Sequence, residues 1–383
     1  MSKILISTLN SNQLFNAIKP FGNIFEQVWH FQAQSISRWT FTNKMGRRWE
    51  RVKSEAETSI GNSKTFTLLS YNILAQDLLA EHLHLYIGIE PSMLRWDHRL
   101  FRLREEIQYV KPDILCLQEM QFNHLKNLVK HISFKRELEY VFKKKTGHRT
   151  DGCAIIYDKS KFRLLSERPV EYYTHGDAVL NRDNIALLAK FAIRKEPQKK
   201  FIIATTHLLY NPRRQDVRIA QVEKLLGAIQ QYSAENEGKN SAFLPVILTG
   251  DFNFEPKTRP YQLLCEPCKA KPISQNFVKS PNLVAADSQQ QTSREYYLKA
   301  PDEDGNELQM MPLDFGIQTA STFQDQWITV DYVLHSVDKN RKKMQIQSVY
   351  ALPKINDCVR TGSIPNKYLG SDHYSLGIKF SVL

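Results

Sequence analysis

A series of short apolar runs rich in β-branched residues restricts the fold of this chain more than any other feature. Thr65 to Tyr71, Asp113 to Gln118, Gly152 to Tyr157, Ile185 to Ile193, Phe201 to Thr206, Pro245 to Thr249, Val330 to His335, Met344 to Ala351 and Ser375 to Val382 all read as strands. Extended helical spacing is clear in two places, Arg95 to Tyr109 and Asp216 to Tyr232. In the second, Val217, Ala220, Val222, Leu225, Leu226 and Ile229 recur mostly at steps of three and four. Many strands with few intervening helices predict an α/β fold, with sheets packed in layers and helices outside.

Composition narrows the class. With 42% hydrophobic and 24% charged residues, the chain is neither collagen-like nor a coiled coil nor wholly disordered. Its 383 residues are enough for two average domains or for one large α/β unit. No apolar run approaches the roughly 18 to 20 residues that span a bilayer. The start also lacks a compact apolar stretch followed by small residues, so neither secretion nor a membrane partner is expected. The 5 cysteines are an odd number and fit a reducing, intracellular setting, cytoplasmic and/or nuclear. Cys265 and Cys268 have zinc-knuckle spacing, but no second pair follows at a distance that would complete four ligands.

Residues 1–62 differ from the rest. They are basic and poor in acids up to Glu26, and they read as an extension that is either partly ordered or a mitochondrial targeting segment. Residues 63–383 carry the strand pattern, interrupted near 272–326 by a polar, irregular stretch too long for an ordinary connection. That stretch reads either as an insertion bordering a functional site or as a solvated loop.

The ends of the apolar runs carry the chemistry. Tyr71-Asn72 closes the first and Gln118-Glu119 the second. His207 follows Ala204-Thr-Thr, Gly250-Asp251-Phe252-Asn253 follows Val246-Ile-Leu-Thr, Asp331-Tyr332 opens another run, and Ser371-Asp372-His373 precedes the last. Taken singly, each Asn or Asp reads equally as a turn or capping residue. As an ordered set they fit metal-assisted hydrolysis of a phosphate ester. Magnesium takes oxygen ligands and keeps several waters, so Glu119 with Asn72 can hold it, and manganese can substitute. Asp251 can deprotonate the attacking water, with Asn253 two residues on expected on the same side of an extended segment. His207 and His373 can donate to the developing oxyanion, and a buried acid such as Asp331 would keep one imidazole cationic.

These elements resemble the endonuclease/exonuclease/phosphatase superfamily from about Thr65 to the C-terminus. Leu69-Ser-Tyr-Asn-Ile-Leu-Ala, Trp96 with Arg99, and Thr150-Asp-Gly-Cys-Ala-Ile are most similar to the branch of the carbon-catabolite-repressor-type deadenylases, nocturnin and the Angel proteins. The resemblance implies a four-layer, DNase I-like α/β sandwich of two mixed sheets flanked by helices. It implies Asn72 and Glu119 at magnesium, His207 and Asn253 on the scissile phosphate, Asp251 positioning water, and Asp331 with Asp372 supporting His373. Deadenylases of this branch have an acid a few positions after the histidine matched by His207. Here the stretch reads Leu-Leu-Tyr-Asn211-Pro-Arg213-Arg214. That departure counts against ordinary poly(A) trimming, and the resemblance to the Angel proteins implies hydrolysis of 2′,3′-cyclic phosphate at RNA 3′ ends, with a 3′-to-5′ exoribonuclease and a non-catalytic RNA-binding scaffold as alternatives.

Arg213 and Arg214 read either as a clamp on that terminal phosphate or as solvated charges before the helix. Asn184 reads as a substrate contact or a turn residue. Tyr210 can stack on a terminal base, whereas Phe254 is expected in the core. The expected partner is RNA with modified 3′ ends, bound by a monomer. The net charge of +12 fits that partner. Because Glu119, Asp251, Asp331 and Asp372 are committed to the cleft, the basic excess is expected around it.

Overall fold

In a computed structural model, residues 47–52, 64–133, 135–237, 240–265, 308–337 and 343–383 are described. All belong to one compact unit, Arg47–Leu383. Most of the basic extension, the larger part of the 272–326 stretch and Cys268 lie outside the described residues.

The chain first lays down β1 (Trp49–Arg51), β2 (Phe66–Asn72), β3 (Ile114–Gln121), β4 (Leu138–Lys144) and β5 (Asp151–Asp158). It then builds β6 (Phe162–Glu171), β7 (Ile185–Ile193) and β8 (Glu196–His207), a small hairpin of β9 (Ala234–Glu237) and β10 (Asn240–Phe243), and β11 (Val246–Asp251). After β12 (Gln309–Pro312) comes a second hairpin, β13 (Thr322–Gln324) and β14 (Gln326–Ile328), followed by β15 (Asp331–Val337), β16 (Met344–Tyr350) and β17 (Leu376–Val382). One sheet has the order β1-β16-β17-β2-β3-β5-β4 and the other β12-β15-β11-β8-β7-β6. Each contains one parallel pair, β2 with β3 and β8 with β11, so both sheets are mixed.

The helices are α1 (Gln76–Glu81), α2 (Pro91–Leu94), α3 (Trp96–Val110), α4 (Phe122–Ile132), α5 (Gln215–Ser233), α6 (Arg259–Cys265) and α7 (Ile355–Thr361). Leu69, Tyr71, Leu115 and Leu117 pack with Leu103 and Ile107 of α3 and Leu125 and Leu128 of α4, covering one outer face. Ile202, Ala204, Val246 and Leu248 pack with Val222, Leu225 and Ile229 of α5 on the other. Between the sheets lies an aromatic seam: Phe66 meets Phe162 at 4.8 Å, Phe162 meets Phe201 at 5.5 Å, and Phe201 meets Phe380 at 5.8 Å between ring centroids. Each buried ring contributes about 1.5–3 kcal/mol relative to exposure. Helix, sheet, sheet, helix is the four-layer sandwich. Strands covered on both faces read as continuous apolar runs.

Two expected boundaries differ. Residues 47–52 belong to the sheet, because β1 pairs with β16 and the Arg47 guanidinium is buried against Glu106 at 2.9 Å. Within the polar stretch, Gln309–Pro312 pairs along β15 and extends the second sheet. Glu106 also accepts from the Ser375 hydroxyl at 2.6 Å, two residues beyond His373. Arg47→Met should cost about 3–5 kcal/mol by leaving Glu106 buried without its cation, read as a lower urea midpoint at unchanged slope. A loss below about 1 kcal/mol would show that the pair does not anchor the unit.

Candidate active site

The two parallel pairs end facing each other. From the first sheet, Asn72 pairs with Gln118 at the carboxyl ends of β2 and β3. From the second, Asp251 is in register with His207 on one side and with Asp331 on the other. The register alone therefore sets three functional side chains at one level of the sheet. Beneath them the Gln118 amide donates to Thr205 Oγ1 at 2.8 Å and to Ser70 Oγ at 3.2 Å, tying the sheets together.

Glu119 sits in an irregularity of β3, where the pairing with β5 shifts between Leu117 and Met120 and its own φ is +57°. A non-glycine residue held there costs on the order of 1–3 kcal/mol, a strain characteristic of functional positions. The Glu119 carboxylate accepts from Asn72 Nδ2 at 3.1 Å and from the Ala75 N–H at 2.9 Å. Asn72 Nδ2 also donates to Asp251 Oδ2 at 2.9 Å, while its oxygen accepts from the Leu74 N–H. In this geometry Asn72 bridges two carboxylates with its nitrogen, and its oxygen, which accepts one N–H, keeps a second lone pair for the ligand role expected of it.

His373 lies before β17, with Nδ1 at 2.8 Å from Asp331 Oδ2 and Nε2 at 3.7 Å from Asp251 Oδ2. Burial works against its charge, but Asp331, Asp251 and Asp372 raise its pKa well above the ordinary histidine value. His207 is the opposite case. Burial, then the charges of Lys145 and His373, push it well below that value, so it is neutral and carries one N–H. The two imidazoles expected to act alike are a cation and a neutral ring. Burial and the charge of Asp331 push Asp251 up to about 7, against the opposing effects of His373 and Asn72. A carboxylate poised near neutrality is suited to accept a proton.

Asn253 does not continue an extended segment. Its φ is +53°, its N–H donates to Asp251 Oδ1 at 3.0 Å, and its side chain donates to the Leu208 carbonyl at 3.0 Å. A turn that caps Asp251 thus replaces the expected same-side pair, and the glycine before it is required by packing: a Cβ at Gly250 would stand 2.3 Å from the Thr206 carbonyl oxygen.

Asp372 accepts from the Tyr86 hydroxyl at 2.8 Å, and Asp331 is the acid in contact with the His373 ring. The Asn184 amide donates to the His207 carbonyl and accepts from Gln221, and so supports His207. Asn211 accepts from the Arg213 N–H in a turn, Arg214 makes a two-pronged contact with Asp216, and Arg213 is exposed. Among the described residues neither Arg213 nor Arg214 is hydrogen-bonded or ion-paired to the cluster. Tyr210 is half exposed and lines a cavity beside Asn253, whereas Phe254 is buried and stacks on Tyr332.

Two contributors, Lys145 and Tyr86, escaped sequence reasoning, and a third, Arg99, entered it only through the resemblance. Lys145 is buried 2.6 Å from Asp151; burial opposes its charge, which Asp151 and Glu119 sustain. Its only sequence signal was a run of three lysines. Arg99 is fully buried and donates to the carbonyls of Gly370, Ile73 and Leu74, tying the loops after Asn72 and before Asp372 to α3. Tyr86 belongs to a stretch without strand or long helical period.

One ligand atom each from Glu119, His207 and Asp251 lies within 4.8 Å of the others, and so do those of Asp251, Asp331 and His373. His207 Nδ1 has no hydrogen-bond partner, and the Glu119 oxygens keep lone pairs beyond their two donors. Buried carboxylates with free lone pairs fit a hard divalent cation between them, whereas an imidazole nitrogen is the ligand of softer ions.

The family model for the endonuclease/exonuclease/phosphatase family matches residues 69–373. "Protein angel" of Drosophila melanogaster is 44% identical over 343 residues, 88% of this chain and 87% of that protein. "Protein angel homolog 1" of Homo sapiens is 37% identical over 229 residues, 57% of this chain but 34% of that longer protein. Among solved structures, ANGEL2, a 2′,3′-cyclic phosphatase, in complex with adenosine-2′,3′-vanadate aligns with a TM-score of 0.68 and 28% identity over 88% of this chain and 98% of its own. The human nocturnin catalytic domain with bound sulfate aligns at 0.57 and 20% identity over 89% and 98%, a likeness of fold. No helix among the described residues is long and apolar enough to cross a membrane.

Proposed function

The chain belongs to the endonuclease/exonuclease/phosphatase family, and from that premise we propose that it is a metal-dependent phosphoesterase that hydrolyses 2′,3′-cyclic phosphate at RNA 3′ ends. The likeness to ANGEL2 over 88% of the chain carries this reading. The site chemistry supports it. Water adds to phosphorus as Asp251 accepts its proton, the bond from phosphorus to one ribose oxygen breaks, that oxygen takes a proton from solvent to become a hydroxyl, and the ring opens to a monoester. Cationic His373, held by Asp331, donates to a phosphoryl oxygen as charge builds, and neutral His207 offers its single N–H on the opposite side of Asp251. Glu119, with Asp251 adjacent, would hold the cation, and Asn72 would orient the two carboxylates. Magnesium bound there neutralises phosphoryl charge, and manganese can replace it.

The test uses one oligoribonucleotide with four 3′ ends: 2′,3′-cyclic phosphate, 2′-phosphate, 3′-phosphate and hydroxyl. The cyclic end should be consumed with the chain length unchanged. Shortening of the hydroxyl-ended chain with the cyclic end untouched would replace this reading with a 3′-to-5′ exoribonuclease.

A further inference from the structure

The segment that leaves His207 is held in an unusual way. The Leu208 N–H donates to the Asp251 carbonyl at 2.9 Å, and its carbonyl accepts from Asn253. The next four residues give their carbonyls to one side chain: Arg218 Nη1 donates to Leu209 at 3.2 Å, to Tyr210 at 3.3 Å and to Asn211 at 2.7 Å, and Nη2 donates to Pro212 at 3.0 Å. Three residues further along α5, Gln221 accepts from the Leu209 N–H at 3.0 Å. Arg218 is 3% exposed, its Nε has no partner, and among the described residues no carboxylate lies within ion-pair distance of it. Asp216, the nearest acid acting on it, is already engaged by Arg214.

A buried guanidinium without a contacting anion is costly and is retained only where its fork satisfies several acceptors at once. What it builds here is part of the lining of the cavity beside Asn253, which Tyr210, Pro212 and Arg218 share with Phe254, Ile328 and Val330.

We propose that Arg218 is a positioning residue for the RNA end: by gathering the carbonyls of residues 209–212 it fixes the strap after His207 as a wall of the cavity that receives the terminal nucleotide. The assignment rests on the phosphoesterase reading above. It gives α5 a part in substrate affinity without a part in the chemical step, because Arg218 touches the strap and not the catalytic acids.

The experiment measures KM and kcat of the full chain on the cyclic-ended oligoribonucleotide for Arg218→Lys, Arg218→Met and Pro212→Gly, with melting temperature as the folding control. Lysine keeps the charge but cannot span four carbonyls, so both Arg218 variants should raise KM about tenfold while kcat stays within about threefold. Pro212→Gly loosens the same strap without removing charge and should shift KM in the same direction. An Arg218→Lys enzyme indistinguishable from wild type, or a fall in kcat at unchanged KM, overturns the proposal. If the Arg218 variants do not fold, an unchanged KM for Pro212→Gly overturns it alone. If the wild type leaves cyclic ends intact, the phosphoesterase reading fails separately, and the same KM and kcat comparison on the hydroxyl-ended chain decides for Arg218.

Discussion

Asp251→Asn should lower kcat by about 10³-fold or more while the affinity for RNA stays within a few-fold of wild type. The substitution is nearly isosteric, and its oxygen can still accept from the Asn253 N–H, which lies at 3.0 Å in the parent. What disappears is the proton acceptor. Asp251 is the hub of the site: it accepts from Asn72 at 2.9 Å, and the Nε2 atoms of both His207 and His373 stand 3.7 Å from its Oδ2. Register with His207 and Asp331 means that no neighbouring carboxylate can move into its place without breaking the ladder. Removing one negative charge from an acidic cleft does not weaken attraction for a polyanion, so a loss of binding in proportion to the loss of activity would contradict the role.

Glu119→Gln should bring a comparable loss of turnover, with a different signature. Its carboxylate is oriented by Asn72 and by the Ala75 N–H, on a backbone held at positive φ, and a glutamine amide there is neutral and presents one oxygen in place of two. Affinity for magnesium, read by calorimetry on the protein alone, should fall at least about tenfold. Magnesium should raise the melting temperature of the wild type, because a cation among buried acids binds the folded state, and that increment should shrink in the variant. Unchanged magnesium affinity would contradict a cation site at Glu119.

The strands read from the sequence are those with neighbours on both sides: β2, β3, β5, β7, β8, β11, β15, β16 and β17. Within the two large sheets the strands that were not read, β1, β4, β6 and β12, are the four edges, and outside them the two short hairpins β9-β10 and β13-β14 were not read either. An edge strand presents one rim to water and is selected for charge and proline, as β6 shows with Glu167, Arg168 and Pro169. The apolar pattern that finds a central strand is therefore weakest there. The cap of α1 and α2 was missed for a related reason. Its own small cluster of Leu74, Leu79, Tyr86 and Leu94 is too short to show a period, yet Tyr86 from it reaches Asp372.

At the site, the residues that end apolar strands were legible because strand polarity places them. Those that act through register or turns were not. The αL turn at Asn253, the shift of β3 at Glu119 and the amide orientation of Asn72 depend on tertiary contacts. Charge offered a similar lesson. Arg213 and Arg214 stand out in the sequence as an adjacent basic pair, while nothing in the local sequence marks Lys145 or Arg218 as buried.

The ratio of kcat/KM for one oligoribonucleotide ending in 2′,3′-cyclic phosphate to that for the same oligoribonucleotide ending in hydroxyl tests the central claim most directly. It should be measured with magnesium at two salt concentrations. Both values should fall as salt rises, since the attraction of a chain carrying +12 is electrostatic, whereas their ratio should stay far above one at either concentration. A ratio at or below one, with the hydroxyl-ended chain shortened from its 3′ end, would contradict the account.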